Sequence, residues 1–404
     1  MNVKIEPSTA YGNVLAPPSK SFAHRALICA ALADGTSVIK GVSHSQDMLA
    51  TIDCLKALGA EISHSGEICT VNGIDIENIT GATLNCRECG STLRFLIPLA
   101  MLSGKKTAFT GSKTLLSRPL DVYKDLCKQN GIEYIRSDNS ITINGKLKSG
   151  HYRIQGNISS QFVSGLLFIL PLLDDDSVIE ILPPLESLPY IDMTINVLKR
   201  FGVDTVRENN IINISGGQKY RSADITVEGD YSNAAFFEAL NYAGGNVTVS
   251  GLDPESLQGD KAYIDYFRQL KEGTPTLDLS HCPDLGPVCM AVAAAQNGAV
   301  FTGTKRLKIK ESDRCSAIAE ELLRFGIKSE IGENSMVIFP STLKTPKEPL
   351  NGHNDHRIVM AMAVLCTVTG GIIEGAEAVN KSFPNFFDEL KKLNTEVSVY
   401  GMDK

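Results

Sequence analysis

The residues best suited to chemistry in this sequence are cations and hydroxyls that stand directly in front of apolar helical segments. The segment PPSKSFAHRAL, residues 17–27, places Lys20, Ser21 and Arg25 where an apolar helix begins. The helix dipole already makes that end partly positive, so cations there are unfavourable unless an anion balances them. Backbone N–H groups, a hydroxyl and cations together can bind an anion, although a solvated basic turn explains this stretch equally well when it stands alone.

The same arrangement recurs along the chain. Polar or small residues begin five further apolar segments: Gly90, Ser91, Thr92 and Arg94; Ser159, Ser160 and Gln161; Ser232 and Asn233; Asp284; and Asp355, His356 and Arg357. Further cations lie in the stretches SRPLDV (Arg118), KIKESDR (Lys310 and Arg314) and NKSFP (Lys381). Repeated helix starts of this composition predict a protein that binds more than one phosphate or carboxylate.

Length and charge limit the number of domains and the kinds of partner. The 404 residues exceed what one hydrophobic core usually organises, so two domains are expected. The net charge of −7 argues against nucleic-acid binding by a broad basic surface. The start MNVKIEPSTA has no apolar signal region. No apolar run approaches the ~18 residues of a membrane span. We therefore expect a cytosolic protein that binds small anions.

Cysteine usage favours free thiols. The ten cysteines are scattered, many of them in apolar helical settings, so buried free thiols are expected. The one CxxC motif, Cys86 to Cys89, lacks a second pair or a nearby histidine motif and gives only weak support for zinc or redox chemistry. His353 and His356 are too isolated to predict a metal site.

Two alternating segments must position these residues. The first is a polar start, an apolar helix, a short break and a β-branched strand; the second is an amphipathic helix, a glycine and two strands around a polar turn. The glycines Gly59, Gly131, Gly202 and Gly326 stand where a helix needs a left-handed C-terminal residue. The helix of the first segment is apolar on every side, so it should be buried with its N-terminus facing the functional site.

The spacing of these segments predicts six βαβαββ repeats. The first segment recurs at intervals of about 70 residues, longer than common solenoid repeats, so three repeats in each of two domains are favoured over a continuous solenoid. The interval after residue 231 is shorter, because DYFRQLKEGTPTLDLS shows the helix but no following hairpin. The natural dividing point lies near residues 227–236.

The sequence resembles the 5-enolpyruvylshikimate-3-phosphate (EPSP) synthase family in eight motifs that occur in the same order. These motifs are PPSKSFAHRAL, GSTLRF, SRPLDV, SSQF, LPYIDMT, KESDR, NDHR and KSFP. The resemblance runs essentially from end to end. It implies an α/β fold of the α+β type, a two-domain inside-out α/β barrel with three repeats per domain. The first domain, 19–228, would lie mainly on the shikimate 3-phosphate side. The second, 1–18 with 229–404, would hold the catalytic carboxylates and part of the phosphoenolpyruvate site.

The resemblance also implies a reaction. The family transfers the enolpyruvyl group of phosphoenolpyruvate to the 5-hydroxyl of shikimate 3-phosphate and releases phosphate, by addition and elimination through a tetrahedral intermediate. No metal and no organic cofactor takes part. The implied partners are these two small molecules, with no nucleic acid and no membrane, and the implied state is a cytoplasmic monomer.

Matched motif by motif, the resemblance assigns site residues. Asp284 would accept the proton of the 5-hydroxyl, Glu311 would protonate the methylene carbon, and Lys20 would be the third catalytic residue. The implied shikimate 3-phosphate site contains Lys20, Ser21, Arg25, Ser159, Ser160, Gln161, Ser187, Tyr190, Asp284 and Lys310. The implied phosphoenolpyruvate site contains Lys20, Gly90, Arg118, Gln161, Arg314, Arg357 and Lys381. Glu88, Phe95 and Arg306 depart from the family pattern.

Alternatives exist on the same fold. The enolpyruvyl transferase that acts on UDP-N-acetylglucosamine usually has an asparagine after its first lysine and a reactive cysteine on a mobile loop. Here Ser21 follows Lys20, and the loop GSKTLLSRPL has no cysteine. A non-catalytic anion-binding protein would be favoured by loss of Asp284, Glu311 or the arginines, and all are present. Single residues also have purely structural explanations: Asp284 could cap a helix, and Arg118 could form a surface salt bridge.

Overall fold

Six helices that are apolar on nearly every side form the centres of two separate hydrophobic cores. The computed structural model of the chain describes residues 1–75, 79 and 81–401. It divides into unit A, Pro18–Glu228, and unit B, which combines Met1–Pro17 with Gly229–Lys404. Each unit contains one continuous cluster of buried apolar side chains. Full burial of one such side chain contributes about 1.5–3 kcal/mol, so the apolar helices belong inside.

Unit A is built around three buried helices. These are α1 (Lys20–Leu32), α3 (Gly90–Ser103) and α6 (Ser160–Ile169). The remaining helices are α2 (Gln46–Ala57), α4 (Lys113–Ser117), α5 (Asp121–Asn130) and α7 (Leu188–Arg200), and a 3-10 turn covers Leu170–Leu172. All residues of α1 from Phe22 to Leu32 are buried, as its lack of a polar face predicts.

Three four-stranded sheets cover these helices. The strands of unit A are β3 (Thr36–Lys40), β4 (Glu61–Ser65), β5 (Ile68–Asn72), β6 (Thr83–Asn85), β7 (Thr107–Thr110), β8 (Glu133–Arg136), β9 (Ile141–Asn144), β10 (His151–Gln155), β11 (Ser177–Leu182), β12 (Thr205–Glu208), β13 (Ile211–Ile214) and β14 (Ile225–Thr226). The sheet orders are β14-β3-β5-β4, β6-β7-β9-β8 and β10-β11-β13-β12. In each sheet the first two strands are parallel, and the other two form an antiparallel hairpin. This is the predicted βαβαββ repeat.

Unit B repeats the plan around its own three helices. Its buried helices are α8 (Tyr231–Tyr242), α10 (Gly286–Ala295) and α12 (His356–Thr369). The others are α9 (Tyr263–Glu272), α11 (Arg314–Arg324) and α13 (Phe386–Lys392), with 3-10 turns at Gly259–Ala262, Pro283–Leu285, Lys305–Ile309 and Ala376–Lys381. Asp284 therefore lies in a turn before α10 and does not cap it, because the N-cap position is Leu285.

The sheets of unit B differ in one place. The strands are β1 (Asn2–Ile5), β2 (Tyr11–Leu15), β15 (Asn246–Ser250), β16 (Thr276–Asp278), β17 (Ala299–Thr302), β18 (Ser329–Ile331), β19 (Ser335–Ile338), β20 (Leu350–Asn351), β21 (Gly371–Glu374) and β22 (Val397–Tyr400). Two sheets have the full order, β16-β17-β19-β18 and β20-β21-β1-β22, whereas the third contains only β15 and β2. The chain passes from α9 directly to β16, which confirms the predicted missing hairpin after residue 273.

The predicted helix-ending glycines have the expected backbone. Gly131 ends α5 at φ +68°, and its N–H donates to the carbonyls of Cys127 and Lys128. Gly59, Gly202 and Gly326 also have positive φ, a conformation that glycine adopts without strain. Among the described helices none is long and apolar enough to cross a membrane.

Candidate active site

The three buried helices of unit A begin with side-chain caps. Ser19 Oγ accepts the N–H of Phe22 at 3.4 Å, Cys89 Sγ accepts that of Thr92 at 3.4 Å, and Ser159 Oγ accepts that of Gln161 at 3.3 Å. These caps satisfy only part of the backbone donors at each end. The first turns therefore keep the positive ends that can hold anions.

Lys20, the first residue of α1, forms an ion pair within unit A. Its Nζ lies 2.7 Å from Asp47 Oδ2, and the two side chains are only 16% and 13% exposed. Ion pairs with this little solvent screening interact more strongly than surface pairs. Asp47, on α2, was not a predicted site residue, and it fixes the ammonium at the start of α1.

Arg25 is buried one turn further along α1 and holds the backbone around it. Its Nη1 donates to the Ser21 carbonyl at 2.7 Å, its Nη2 to the Tyr190 carbonyl at 3.1 Å, and its Nε to Thr194 Oγ1 at 2.8 Å. Burial lowers the pKa of Arg25 to about 10. Three of the predicted residues, Ser21, Arg25 and Tyr190, are thus connected.

Ser187 completes this group through the backbone. It is buried, has φ +55°, and its carbonyl accepts the N–H of Tyr190 at 3.2 Å at the start of α7. A left-handed serine is uncommon, and such conformations concentrate at functional sites.

A second group surrounds Gly90 at the start of α3. A Cβ added to Gly90 would lie 2.7 Å from Arg118 Nη1 and 3.1 Å from Arg94 Nη1. Arg94 Nη1 donates to Gln161 Oε1 at 2.9 Å, and Gln161 Nε2 donates to Ser91 Oγ at 2.9 Å. Arg118 is buried, so it is not the exposed residue that a surface salt bridge would use. Ser160 is buried beside Gln161 in the first turn of α6.

Arg314 is the centre of the cluster in unit B. Its guanidinium is 1% exposed and donates to three carboxylates. Nη1 lies 2.9 Å from Asp284 Oδ1, Nη2 2.7 Å from Glu311 Oε2, and Nε 2.8 Å from Asp355 Oδ2. Burial alone would lower the pKa of Arg314, but these carboxylates raise it above its ordinary value. One buried cation therefore connects both predicted catalytic carboxylates.

Asp284 is bound by two further cations. Its Oδ1 lies 3.3 Å from Lys310 Nζ, and its Oδ2 lies 3.1 Å from Arg357 Nη2. Burial lowers the pKa of Lys310 to about 8, with Arg314 and Arg306 acting in the same direction and Asp284 opposing them. Arg306 is buried in the turn before Lys310, which gives this departure from the family pattern an electrostatic effect.

Arg357 and Lys381 approach the cluster from other elements. Arg357, in the first turn of α12, donates from Nη1 to Ser232 Oγ at 2.5 Å, so the starts of α8 and α12 are joined. Lys381 donates to the Asn354 carbonyl at 2.5 Å, next to the α12 cap Asp355. Lys381 therefore lies beside the start of α12, next to the residue that caps it.

Two carboxylates, one in each unit, form ion pairs with predicted cations that no local sequence signal indicates. Asp47 lies 27 positions from Lys20, and Asp355, although noted at a helix start, lies 41 positions from Arg314. Asp355 caps α12 through the N–H of Arg357 at 3.0 Å and also accepts Ser312 Oγ at 3.1 Å. An N-cap pattern predicts the cap, but the ion pair with Arg314 depends on tertiary packing.

Comparison with known proteins gives one consistent result. A family model described as EPSP synthase (3-phosphoshikimate 1-carboxyvinyltransferase) matches residues 5–390. A curated 3-phosphoshikimate 1-carboxyvinyltransferase of Clostridium kluyveri is 41% identical, covering 100% of this chain and 99% of the relative. One of Clostridium novyi is 40% identical over all of both chains. A solved EPSP synthase of Acinetobacter baumannii has the same fold, with a TM-score of 0.80 at 23% identity over 98% of this chain and 100% of that chain.

Proposed function

The chain belongs to the EPSP synthase (3-phosphoshikimate 1-carboxyvinyltransferase) family, and on this premise we propose that the two polar clusters bind and convert the substrates of that family. The enzyme transfers the enolpyruvyl group of phosphoenolpyruvate to the 5-hydroxyl of shikimate 3-phosphate, a step of aromatic amino-acid biosynthesis. The main support for these roles is that the buried guanidinium of Arg314 donates hydrogen bonds to both Asp284 and Glu311.

In unit A we assign anion binding to the helix starts. The residues that bind shikimate 3-phosphate are Lys20, Ser21, Arg25, Ser159, Ser160, Gln161, Ser187 and Tyr190. Those that bind phosphoenolpyruvate are Lys20, Gly90, Arg118 and Gln161. The support is that Arg25 and Gln161 are each fixed by hydrogen bonds within the unit, so their groups are preorganised before a ligand arrives. Besides binding, Arg25 positions its neighbours, because two of its donors hold the backbone carbonyls of Ser21 and Tyr190.

In unit B we assign proton transfer to the two carboxylates. Addition across the enol double bond needs a base at the attacking oxygen and an acid at the methylene carbon. Asp284, surrounded by Lys310, Arg314 and Arg357, is the base that accepts the 5-hydroxyl proton. Lys310 also supports the phosphate of shikimate 3-phosphate, and Arg314, Arg357 and Lys381 hold phosphoenolpyruvate.

Glu311 is assigned as the acid, and the ligand itself explains how it gains a proton. Arg314 Nη2 lies 2.7 Å from Glu311 Oε2, and a guanidinium so close favours the ionised form of a carboxyl group. The carboxylate and phosphate of phosphoenolpyruvate offset that guanidinium charge when they bind. Glu311 then takes up a proton more readily and can deliver it to carbon.

The direct test is phosphate release by the full chain. Release should require both phosphoenolpyruvate and shikimate 3-phosphate, and UDP-N-acetylglucosamine should not replace the latter. Phosphate release without shikimate 3-phosphate, or none with both substrates, would contradict the proposal.

We also propose that the enzyme is a cytoplasmic monomer. All ten cysteines are buried and unpaired with one another, which suits a reducing compartment. Light scattering after size-exclusion chromatography tests the monomer.

Gly90→Ala should weaken ligands of the phosphoenolpyruvate site selectively. The new Cβ would lie 2.7 Å from Arg118 Nη1, so that guanidinium must shift by several tenths of an ångström. A phosphonate analogue longer than phosphoenolpyruvate has less free space in which to adjust to the shifted guanidinium. It should therefore lose more affinity than phosphoenolpyruvate, by roughly a further 10-fold or about 1.4 kcal/mol.

The matched control for this prediction is Gly150→Ala, where an added Cβ meets nothing within 4 Å. Inhibition constants and KM for phosphoenolpyruvate give the comparison. Equal losses for the analogue and the substrate would show that Gly90 serves only the turn.

Binding of shikimate 3-phosphate should weaken as the pH rises from 7 to 9. Lys310 has a pKa of about 8, so its ammonium is mostly charged at pH 7 and mostly neutral at pH 9. The phosphate is already a dianion over this range, with a second pKa of about 6. We expect calorimetry to show a loss of up to about 10-fold in affinity.

Lys310→Arg provides the control, because arginine stays charged throughout this range. Its affinity for shikimate 3-phosphate should vary less with pH than that of the parent. The assignment of Lys310 fails if both proteins show the same pH profile.

A further inference from the structure

Three side chains that can bind a metal meet near the starts of α1, α2 and α3 in unit A. His24, Asp47 and Cys89 are all buried, and one ligand atom from each lies within 4.8 Å of the other two. His24 Nε2 and Cys89 Sγ are 3.8 Å apart. Imidazole, thiolate and carboxylate are the ligand types that Zn²⁺ prefers.

The histidine is oriented as metal-binding histidines are. Its Nδ1 lies 2.8 Å from Thr51 Oγ1, which is 2.6 Å from Thr92 Oγ1. In the tautomer in which Nδ1 donates to Thr51 Oγ1, this hydrogen bond fixes the ring and the Nε2 lone pair faces Cys89. Burial, with Lys20 and Arg25 nearby, holds the pKa of His24 well below its ordinary value, so the ring is neutral and able to coordinate.

The distances are compatible with a tetrahedral ion. Ligand atoms on Zn²⁺ at about 2.0–2.3 Å lie about 3.5 Å from one another, close to the observed separation of Nε2 and Sγ. Closing the remaining gaps needs side-chain adjustments of about 1 Å. The carboxylate of Asp47 is 13% exposed beside Lys20, so a cation can reach the cluster from that side.

The ammonium of Lys20 would compete with a metal ion for the Asp47 carboxylate. Its ammonium lies 2.7 Å from Asp47 Oδ2, where a metal would take the same carboxylate. A divalent ion with one thiolate, one carboxylate and a neutral imidazole forms a neutral group, which burial penalises least. The lysine would then lose its counter-ion and be repelled from its place at the start of α1.

We propose that His24 Nε2, Cys89 Sγ and the Asp47 carboxylate form an inhibitory site for a thiophilic divalent cation such as Zn²⁺, in competition with Lys20. Binding forms a metal–sulfur bond and breaks the S–H bond of Cys89, and the proton goes to solvent. Burial and the neighbouring Asp47 carboxylate raise the pKa of the Cys89 thiol to about 12, so the thiol keeps its proton until the metal displaces it. The site is separate from the family's reaction, which uses no metal.

The two cysteines of the CxxC motif have different surroundings in the structure. Cys86 Sγ is directed to the Leu84 carbonyl at 3.9 Å and does not belong to the cluster. Cys89 is therefore grouped with His24 and Asp47 from distant parts of the chain. Cys86 supplies a matched control for the reactivity of a buried thiol in the same motif.

Co²⁺ binding to the full chain tests the site without any reference to activity. We expect one equivalent of Co²⁺ to give a thiolate-to-cobalt absorption band, and Zn²⁺ to remove it. Cys89→Ser should abolish the band while keeping an oxygen to cap α3, and Cys86→Ser should leave it unchanged. Absence of the band in the parent protein, or its persistence in Cys89→Ser, would overturn the proposal.

The inhibition rests on the proposed role of Lys20 in substrate binding. Zn²⁺ should lower phosphate release at least 10-fold at saturation in the parent and in Cys86→Ser, with recovery on addition of a chelator. Cys89→Ser should resist it. A cobalt band without zinc inhibition would overturn the inhibitory role alone, whereas a chain that never releases phosphate would overturn the proposed function and leave the metal site standing.

Discussion

Glu311→Gln and Asp284→Asn should each lower kcat by roughly 10²- to 10⁴-fold, the usual contribution of a positioned acid or base. An amide keeps the size of the carboxyl group and most of its hydrogen bonding but cannot exchange the proton. Both side chains keep a donor partner in Arg314, so the local structure should survive. Turnover by phosphate release and binding of shikimate 3-phosphate by calorimetry separate chemistry from affinity.

The two variants should differ in their effect on binding. Glu311→Gln should leave the affinity for shikimate 3-phosphate nearly unchanged, because the role we propose for Glu311 is at the methylene carbon of the other substrate. Asp284→Asn should also alter that affinity, since its oxygen would contact the 5-hydroxyl. Glu333→Gln, an exposed carboxylate paired with Lys305, is the control and should retain parental turnover. If Glu311→Gln turned over within a few-fold of the parent, Lys20 would be the next candidate for the acid.

Arg314→Met should destabilise unit B by about 3–5 kcal/mol, the range found when one partner of a buried ion pair is removed. Without this guanidinium, the fully buried Asp355 keeps the hydroxyl of Ser312, the N–H of Arg357 and the ring of His356 at 3.9 Å, but loses its arginine counter-ion. Asp284 and Glu311 lose their shared partner at the same time, so activity should fall with stability. Denaturant unfolding measures the free energy, and hydrogen exchange in α12 assigns the loss to unit B.

Arg268→Met is the matched control in the same unit. Arg268 is 67% exposed and pairs with Asp265 on α9, so its removal should change stability by less than about 1 kcal/mol. Similar losses in the two variants would show that Arg314 is not a buried electrostatic centre.

The positions of the central helices could be predicted from the sequence because each has an apolar run after a polar start. Helices begin at Lys20, Gly90 and Ser160 in unit A and at Tyr231 and His356 in unit B, within two residues of the predicted positions. The remaining helix begins at Gly286, since Pro283–Leu285 forms a separate 3-10 turn. That turn is what removes Asp284 from the cap position.

The partners of the polar residues could not be predicted in the same way. A cation at a helix start predicts a nearby anion, but nothing local shows that Asp47 neutralises Lys20 or that Asp355 holds Arg314. Very short strands could not be predicted from the sequence either. Strand β14 has only two residues, which is too short to show a periodicity, and its partner β3 lies at the other end of the unit A sequence.

The strand pairings fix an order in which the two units can be completed during synthesis. Every strand of unit A lies between Thr36 and Thr226, so its pairings are available once that stretch has left the ribosome. Unit B must wait longer, because β1 (Asn2–Ile5) forms ladders with β21 and with β22, which ends at Tyr400. Contacts of such high sequence separation carry a large loop-closure cost and form slowly. Strand β1 is therefore translated before unit A but is among the last strands to find its partners, and unit A can be complete while β1 is still unpaired.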